Sequence, residues 1–485
     1  MSARRRRGRR ILLYHRRAAG QHGPDAAPQR GNALNVVFFS LVLISFVVAG
    51  YRQLTWAPPP ASVAAPTDST LVPPMELMAN GMIDAAASAV TLAIGLVGVM
   101  SLFLGLMKIA EAGGLLTTIA RLLRPLMVRL FPDIPPEHPA MGAMILNMSA
   151  NVMGLGNAAT PFGIRAMQEL DKLNPHKGTA TDAMVLFLAI NTASVTLLPT
   201  SVIALRASVG SDDPAGIVPT TLFASVCSTA VAIASAFLYR RFWPIKDTPT
   251  DAPEIEEPDS ASEALGGPAD PRNMAEADAA MDAGATYPWW VSALALLAVA
   301  MLIPITAMFG RSLSPWIIPG LMVGLLAFGV AKRVHVYEAF VEGARDGFTV
   351  AVRIIPYLVA ILVAVAMLRQ SGALDMLIGP LGAITQHFGL PPEALPMALL
   401  RPLSGSGAYG LLASVIERYE TGPDTYVGYL VSTIQGSSET TFYVLAVYFG
   451  AVHIRRIRHA LAAGLTADVA GVAGAVFICT LLYSG

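Results

Sequence analysis

The sequence predicts an all-α polytopic membrane protein: two inverted-topology repeats with re-entrant or broken helices, plus extra transmembrane helices. Three observations lead there. The 485 residues are 54% hydrophobic and only 14% charged, with a mean hydropathy of +0.56, whereas soluble domains carry about 25% charged residues. Apolar runs of about 20 residues, enough to cross a bilayer, recur along the chain. Finally, two stretches read as diverged copies of one pattern. The first runs from EAGG (Glu111–Gly114) through NMSANVMGLGN (Asn147–Asn157) to NTASVT (Asn191–Thr196), and the second from QSGA (Gln370–Ala373) through RPLSGSG (Arg401–Gly407) to QGSSETT (Gln435–Thr441). Barrel strands would alternate apolar with polar residues, which these runs do not.

In chain order, residues 1–33 read as a basic cytoplasmic tail. The run Arg4 to Arg10 sits before an apolar segment, as a positive-inside anchor requires. Val48 to Gly50 resembles a signal-peptidase site, but the long basic leader favours an uncleaved transmembrane anchor at 34–51. Residues 52–80 form an extracytoplasmic Pro/Ala-rich linker, and 81–243 the first repeat. Residues 244–286 are an acidic cytoplasmic linker, 287–333 a transmembrane pair and 338–485 the second repeat. Within this frame single spans are expected at 84–107, 181–206, 218–240, 288–309, 314–331, 348–368, 424–450 and 459–483. Segments 138–160 and 392–413, apolar but broken by Pro, Gly, Ser and Asn, read as re-entrant hairpins or discontinuous helices rather than clean spans. Segments 115–131 and 373–388 read as amphipathic interface helices.

With the N-terminus inside, the Lys and Arg clusters at 108–129, 165–177, 240–246, 332–333 and 455–458 all fall on the cytoplasmic side. Span 84–107 then descends where its counterpart 348–368 rises, and 181–206 rises where 424–450 descends. Such inverted halves house the midplane sites of secondary transporters, although a duplication kept for packing would leave the same pattern.

Net charge is zero, so no overall field attracts nucleic acid. Cys227 and Cys479 form neither a disulfide framework nor a metal pattern. No HExxH, Walker A or GxSxG motif occurs, and the expectation is a protein that is not an enzyme and uses no cofactor or metal.

The candidate solute-binding residues are polar groups at membrane depth. Asn191 and Ser194 lie i,i+3 on one expected helix; Gln435, Ser438 and Glu439 lie i,i+3,i+4 on its counterpart. Each set starts about ten residues, or roughly 15 Å, into its span, near the middle of a ~30 Å core. Amides and hydroxyls there can donate to and accept from a small polar solute, although interhelical hydrogen bonding would use the same groups. The broken segments add Asn147, Ser149, Asn151 and Asn157 in one half and Arg401, Ser404 and Ser406 in the other; a helix starting mid-membrane there would offer unpaired N–H groups to an anion, with small-residue helix packing the alternative. Glu439 reads equally as a proton or cation carrier and as the structural partner of Arg401; Asp468, inside the last span, is a second coupling-ion candidate.

NMSANVMGLGNAATP (Asn147–Pro161) with MQEL (Met167–Leu170) resembles the spore maturation protein A family. RPLSGSG and QGSSETTFY (Gln435–Tyr443) resemble the spore maturation protein B family. The chain thus resembles a fusion of the two over roughly 80–240 and 338–485. Both families contain the nucleoside-recognition Gate domain, similar to parts of concentrative nucleoside transporters and of ferrous iron transporter B. The resemblance implies two Gate-type repeats in a multi-pass protein of the cell inner membrane. With no cysteine in the duplicated motifs, iron is disfavoured as cargo. The resulting expectation is a secondary transporter of a small polar solute, nucleoside-like or an organic anion. A non-transporting scaffold for envelope or spore maturation is the alternative. The expected partners are the solute and the lipid bilayer, with homo-oligomerisation left open.

Overall fold

A computed structural model describes residues 33–56, 72–154, 156–244, 287–418 and 421–483. The basic tail before residue 33, most of the Pro/Ala-rich linker and the acidic linker lie outside the described residues. Two compact units are distinguished, Met1–Ser40 and Leu41–Gly485. Helix α1 (Ala33–Thr55) begins in the first, and the second holds all other described helices. The fold is all-α, and five described segments are long and apolar enough to cross a membrane: 38–55, 74–112, 214–239, 336–370 and 460–483.

The first repeat comprises α2 (Pro74–Ala112), α3 (Leu115–Leu130), α4 (Pro139–Val152), α5 (Gly156–Lys172), α6 (Asp182–Thr192), α7 (Thr200–Ser208) and α8 (Ile217–Tyr239). Helix α9 (Trp289–Ala331) follows; it is continuous where the sequence predicts two spans, and neither Pro304 nor Pro315 interrupts it. The second repeat comprises α10 (Val336–Arg353), α11 (Ile355–Gln370), α12 (Ala373–Thr385), α13 (Leu395–Leu400), α14 (Gly405–Ile416), α15 (Tyr426–Ser437), α16 (Thr441–Gly450) and α17 (Ala460–Tyr483).

The two series correspond element by element, because the same local signals recur. Helices α3 and α12 both start after a left-handed glycine, Gly114 (φ 77°) and Gly372 (φ 76°), and both contain an internal proline. Such a φ strains any residue with a Cβ. Helices α6 and α15 both begin at a threonine N-cap whose hydroxyl accepts an amide three residues on: Thr181 from Met184 (3.2 Å) and Thr425 from Gly428 (3.1 Å).

Corresponding helices pack on each other antiparallel, as inverted topology demands. Along α2, Gly81 faces Gln370, Ser101 faces Gly347, and Gly105 faces Phe340. A Cβ on Gly347 would lie 2.6 Å from Ser101 Cα, so the backbones approach as closely as small residues allow. Helices α8 and α17 pair likewise, Ser228 reaching Ala467 and Phe223 stacking on Phe477.

Both re-entrant segments are hairpins too short to cross. The 14 residues of α4 span about 21 Å, and every residue from Ala140 to Asn151 is buried. The expected single spans 181–206 and 424–450 are a correction. Each is two short helices, with breaks at 193–199 and 438–440. Pro199 cannot donate to a continuing helix, and the Ser and Thr residues of both breaks offer competing local hydrogen bonds. Among the described residues the two larger hydrophobic cores each mix the repeats. One joins α4, α5 and α6 to α16; the other joins α11, α14 and α15 to α7.

Reciprocal arginine–aspartate clamps close the two ends. Arg206 of α7 is fully buried. It donates to Asp424 Oδ1 (2.9 Å), the Asp213 carbonyl (3.0 Å) and Ser211 Oγ (3.3 Å), and its guanidinium lies 4.3 Å from the centre of the Tyr429 ring. At the opposite end Arg458 donates to Asp182 Oδ1 (2.6 Å) and to the Ala180 carbonyl (3.1 Å). Asp424 precedes the N-cap of α15, and Asp182 is the first residue of α6. Each broken helix is therefore held at its start by an arginine of the other repeat.

Two predictions follow from the clamps. Arg206→Ala removes the buried member of a pair whose aspartate is 32% exposed and should cost about 1–3 kcal/mol in lost charge-assisted hydrogen bonds, read as a lowered denaturation midpoint in detergent. Beside the second clamp, burial and then the Arg458 cation push the His459 imidazole below its usual pKa. The unfolded chain binds this proton near pH 6.5 while the fold resists it, so stability falls as pH drops below about 6.5. A denaturation midpoint that falls between pH about 7 and about 5, and falls less in His459→Gln, checks this.

Candidate functional site

The two breaks meet. The Glu439 amide, in the second break, donates to the Thr192 carbonyl at the edge of the first (2.8 Å). Each break is also bonded to the hairpin of its own repeat: Leu197 N to the Val152 carbonyl, and Phe442 N to the Pro402 carbonyl, both 3.1 Å. At the first hairpin's tip Gly154 has φ 75°, and a Cβ there would strike the Leu198 carbonyl. Two broken helices and two hairpin tips thus converge on one locus, as the duplicated motifs predict.

Two polar networks flank the crossing. In the first, Asn151 Nδ2 donates to Asn191 Oδ1 (3.0 Å), which also accepts from the Tyr448 hydroxyl (3.4 Å). Asn147 Nδ2 donates to that hydroxyl (3.1 Å) and to the Ala159 carbonyl (2.8 Å). In the second, the buried Arg401 guanidinium donates to Thr440 Oγ1 (2.9 Å) and to the Ser438 carbonyl, and faces the Glu439 carboxylate at 3.9 Å. Thr441 Oγ1 donates to Asp468 Oδ2 (2.6 Å). One cation therefore stands against two carboxylates, on the turn after α13, in the second break and on α17.

The predicted residues divide accordingly. Asn147, Asn151, Asn191, Arg401, Ser438, Glu439 and Asp468 come together. The i,i+3 faces predicted for Asn191 with Ser194 and for Gln435 with Ser438 and Glu439 do not form, because the helices end at Thr192 and Ser437. Ser149 instead bonds its own helix through Ile145 O (2.7 Å), and Ser404 caps α14 by accepting from Gly407 N (3.0 Å). Ser406 lies in the first turn of α14, part-buried. Asn157 is in the first turn of α5, and its side chain lies outside the described residues. Tyr448, Thr440 and Thr441 take part although sequence reasoning did not single them out. Tyr448 sits in the apolar stretch after Tyr443, where only the asparagines across the fold reveal it.

Four buried polar atoms near the crossing have no hydrogen-bond partner among the described residues: Asn147 Oδ1, Gln435 Oε1, Arg401 Nε and Asp468 Oδ1. Buried polar atoms are nearly always paired. Other such atoms lie elsewhere, Arg206 Nε and His459 Nδ1 among them; the four at the crossing bring amide, guanidinium and carboxylate groups that a ligand or an ion could pair with.

The comparisons with known proteins fall on this architecture. The nucleoside-recognition Gate family matches residues 93–209 and 351–455, which enclose both hairpins and both broken helices. The chain is 47% identical over 171 residues to spore maturation protein B of Bacillus subtilis, covering 95% of that protein and 35% of this chain. It is 49% identical over 158 residues to spore maturation protein A of the same organism, covering 81% of that protein and 32% of this chain. The chain belongs to the spore maturation A and B families, fused. Escherichia coli inner membrane protein YjiG is 34% identical over 84 residues, 55% of its length and 17% of this chain. In this fused chain the crossing and the clamps depend on both halves.

Tyr448→Phe keeps the ring stacked on Phe187 (centroids 6.0 Å apart) but removes the hydroxyl joining Asn147 to Asn191. A buried donor then loses one acceptor, at a cost of about 1–3 kcal/mol, checked as a lowered denaturation midpoint in detergent.

Proposed function

We propose that this protein is a secondary transporter of a small polar solute, nucleoside-like or an organic anion, working by alternating access in the cell inner membrane and catalysing no reaction. The observation that carries this reading is the crossing itself. Two discontinuous helices, one from each inverted repeat, meet where unpaired amide, guanidinium and carboxylate atoms gather. Secondary transporters bind cargo at such breaks, where irregular backbone is tolerated only beside protein or a water-filled cavity.

The clamps supply the two closures that alternating access needs. Arg206–Asp424 and Arg458–Asp182 each tie one repeat to the other on one side of the crossing. Rocking one repeat against the other would open one clamp while the second holds. The solute's polar groups would engage Asn147, Asn191 and Gln435, while Arg401 and Glu439 fix the second break beside them. The YjiG likeness supports placement in the inner membrane, and the matched Gate description supports a nucleoside-like solute.

A non-transporting scaffold in envelope or spore maturation is the second reading. The direct Asn151–Asn191 contact favours it, since that bond holds the hairpin to the break with no solute between.

The test is thermal stabilisation of the purified protein against nucleosides, dicarboxylates and amino acids, with Gln435→Ala and Asn191→Ala alongside. A ligand at a hundred times its Kd stabilises by about 2.7 kcal/mol. The expected result is one responding class whose effect both substitutions abolish. No response across the panel, with both variants folded, would favour the scaffold.

A further inference from the structure

Of the ionisable groups at the crossing, Asp468 lacks a charge partner of its own. It is 6% exposed, in the interior of α17. Thr441 Oγ1, at the start of α16, donates to its Oδ2 at 2.6 Å, and its Oδ1 has no partner among the described residues. The elements packed around α17 bring little charge. Helix α8 contributes Ser228, whose hydroxyl bonds the Ala467 carbonyl, and Cys227 near Gly474. Helix α6 contributes Thr192, which with Thr441 lies near Gly464 one turn away. Arg401 on the turn after α13 is the cation facing Asp468, and its ion pair is with Glu439, at 3.9 Å. Its other bonds go to Thr440 and the Ser438 carbonyl.

A carboxylate buried in the membrane without a dedicated counter-charge is costly unless it binds a proton or cation. Glu439 differs: its side chain is 46% exposed and it has the arginine. Loading Asp468 needs no rearrangement of its neighbours. Oδ2 keeps the Thr441 bond in either state, and Oδ1 is free to take an O–H bond. When the proton leaves, the Thr441 hydroxyl and the positive N-terminal end of α16 hold the anion. A metal ion would require several more oxygens around Oδ1, and Thr441 Oγ1 is already turned towards Oδ2 as a donor.

Resting on the transport reading above, we infer that Asp468 is the coupling carboxylate: Oδ1 takes one proton from water on one side of the membrane and releases it to water on the other, once per solute carried. The O–H bond formed on loading is the bond broken on release, so no co-reactant is needed. Glu439, held to Arg401, fixes the second break.

The test requires no knowledge of the solute. Infrared difference spectra of the full chain in lipid nanodiscs would follow the carbonyl stretch of a protonated carboxyl group as pH falls from about 9 to about 6, above the ordinary carboxylate range. The expected result is a band that grows over this range, is lost in Asp468→Asn, persists in Glu439→Gln, and is the same in sodium and choline buffers. A band surviving in Asp468→Asn would overturn the inference. So would a wild-type spectrum that does not change with pH, which would make Asp468 a fixed structural group, or a band erased by sodium at constant pH. Should Asp468→Asn fail to fold, Thr441→Val decides. Loss of the donor to the anion should raise the band's midpoint pH, and an unmoved midpoint would refute the assignment. Solute stabilisation without a titrating band would leave transport standing and end this proposal. A titrating Asp468 in a chain that binds no solute would keep the proton site and end the transport reading.

Discussion

The hydrogen bond from the Glu439 amide to the Thr192 carbonyl is the constraint on which the rest of this structure depends. A helix that stops inside a bilayer leaves amides and carbonyls that lipid cannot satisfy. Here the breaks satisfy one another, and each hairpin tip contributes one more bond, from Leu197 to Val152 and from Phe442 to Pro402. Neither half can complete its own middle. Antiparallel packing of α2 on α10 and of α8 on α17 brings the breaks into register, and the mixed hydrophobic cores follow from that register.

Much of this architecture was legible in the chain. Hydropathy located the unbroken spans near 34–51, 84–107, 218–240, 348–368 and 459–483, and basic clusters implied that the halves run in opposite directions. The antiparallel facing of Gly81 with Gln370 and Gly105 with Phe340 bears that out. The hairpins were legible because Asn, Gly, Ser and Pro interrupt otherwise apolar runs. The breaks at 193–199 and 438–440 were not, because apolar flanks on both sides average them into one span. With the helices taken as continuous, Ser194 and Ser438 fell on faces that do not exist. The pairing of Arg401 with Glu439 was one of two readings weighed from the sequence, and the 3.9 Å separation supports it. Tyr448 carried no signal, since its role depends on asparagines contributed by α4 and α6.

The clamps show how charge is used sparingly in an apolar fold. Arg206 and Arg458 lie at opposite ends, and each holds the first turn of a broken helix from the other repeat. Between them, Arg401 faces two carboxylates, one of which it holds. The charges are thus paired one to one at the ends, while at the centre one cation faces two carboxylates.

Mutual completion of the breaks also bears on how the chain is made. The first half enters the bilayer before the acidic linker, α9 and the entire second half have been synthesised. Through that interval the Thr192 carbonyl has no amide to accept from, and Asp182 has no arginine. The early helices must therefore wait, within the insertion machinery or with water beside them, until their counterparts arrive. Carrying both halves on one polypeptide fixes their ratio at one to one and ensures that the missing half follows on the same ribosome.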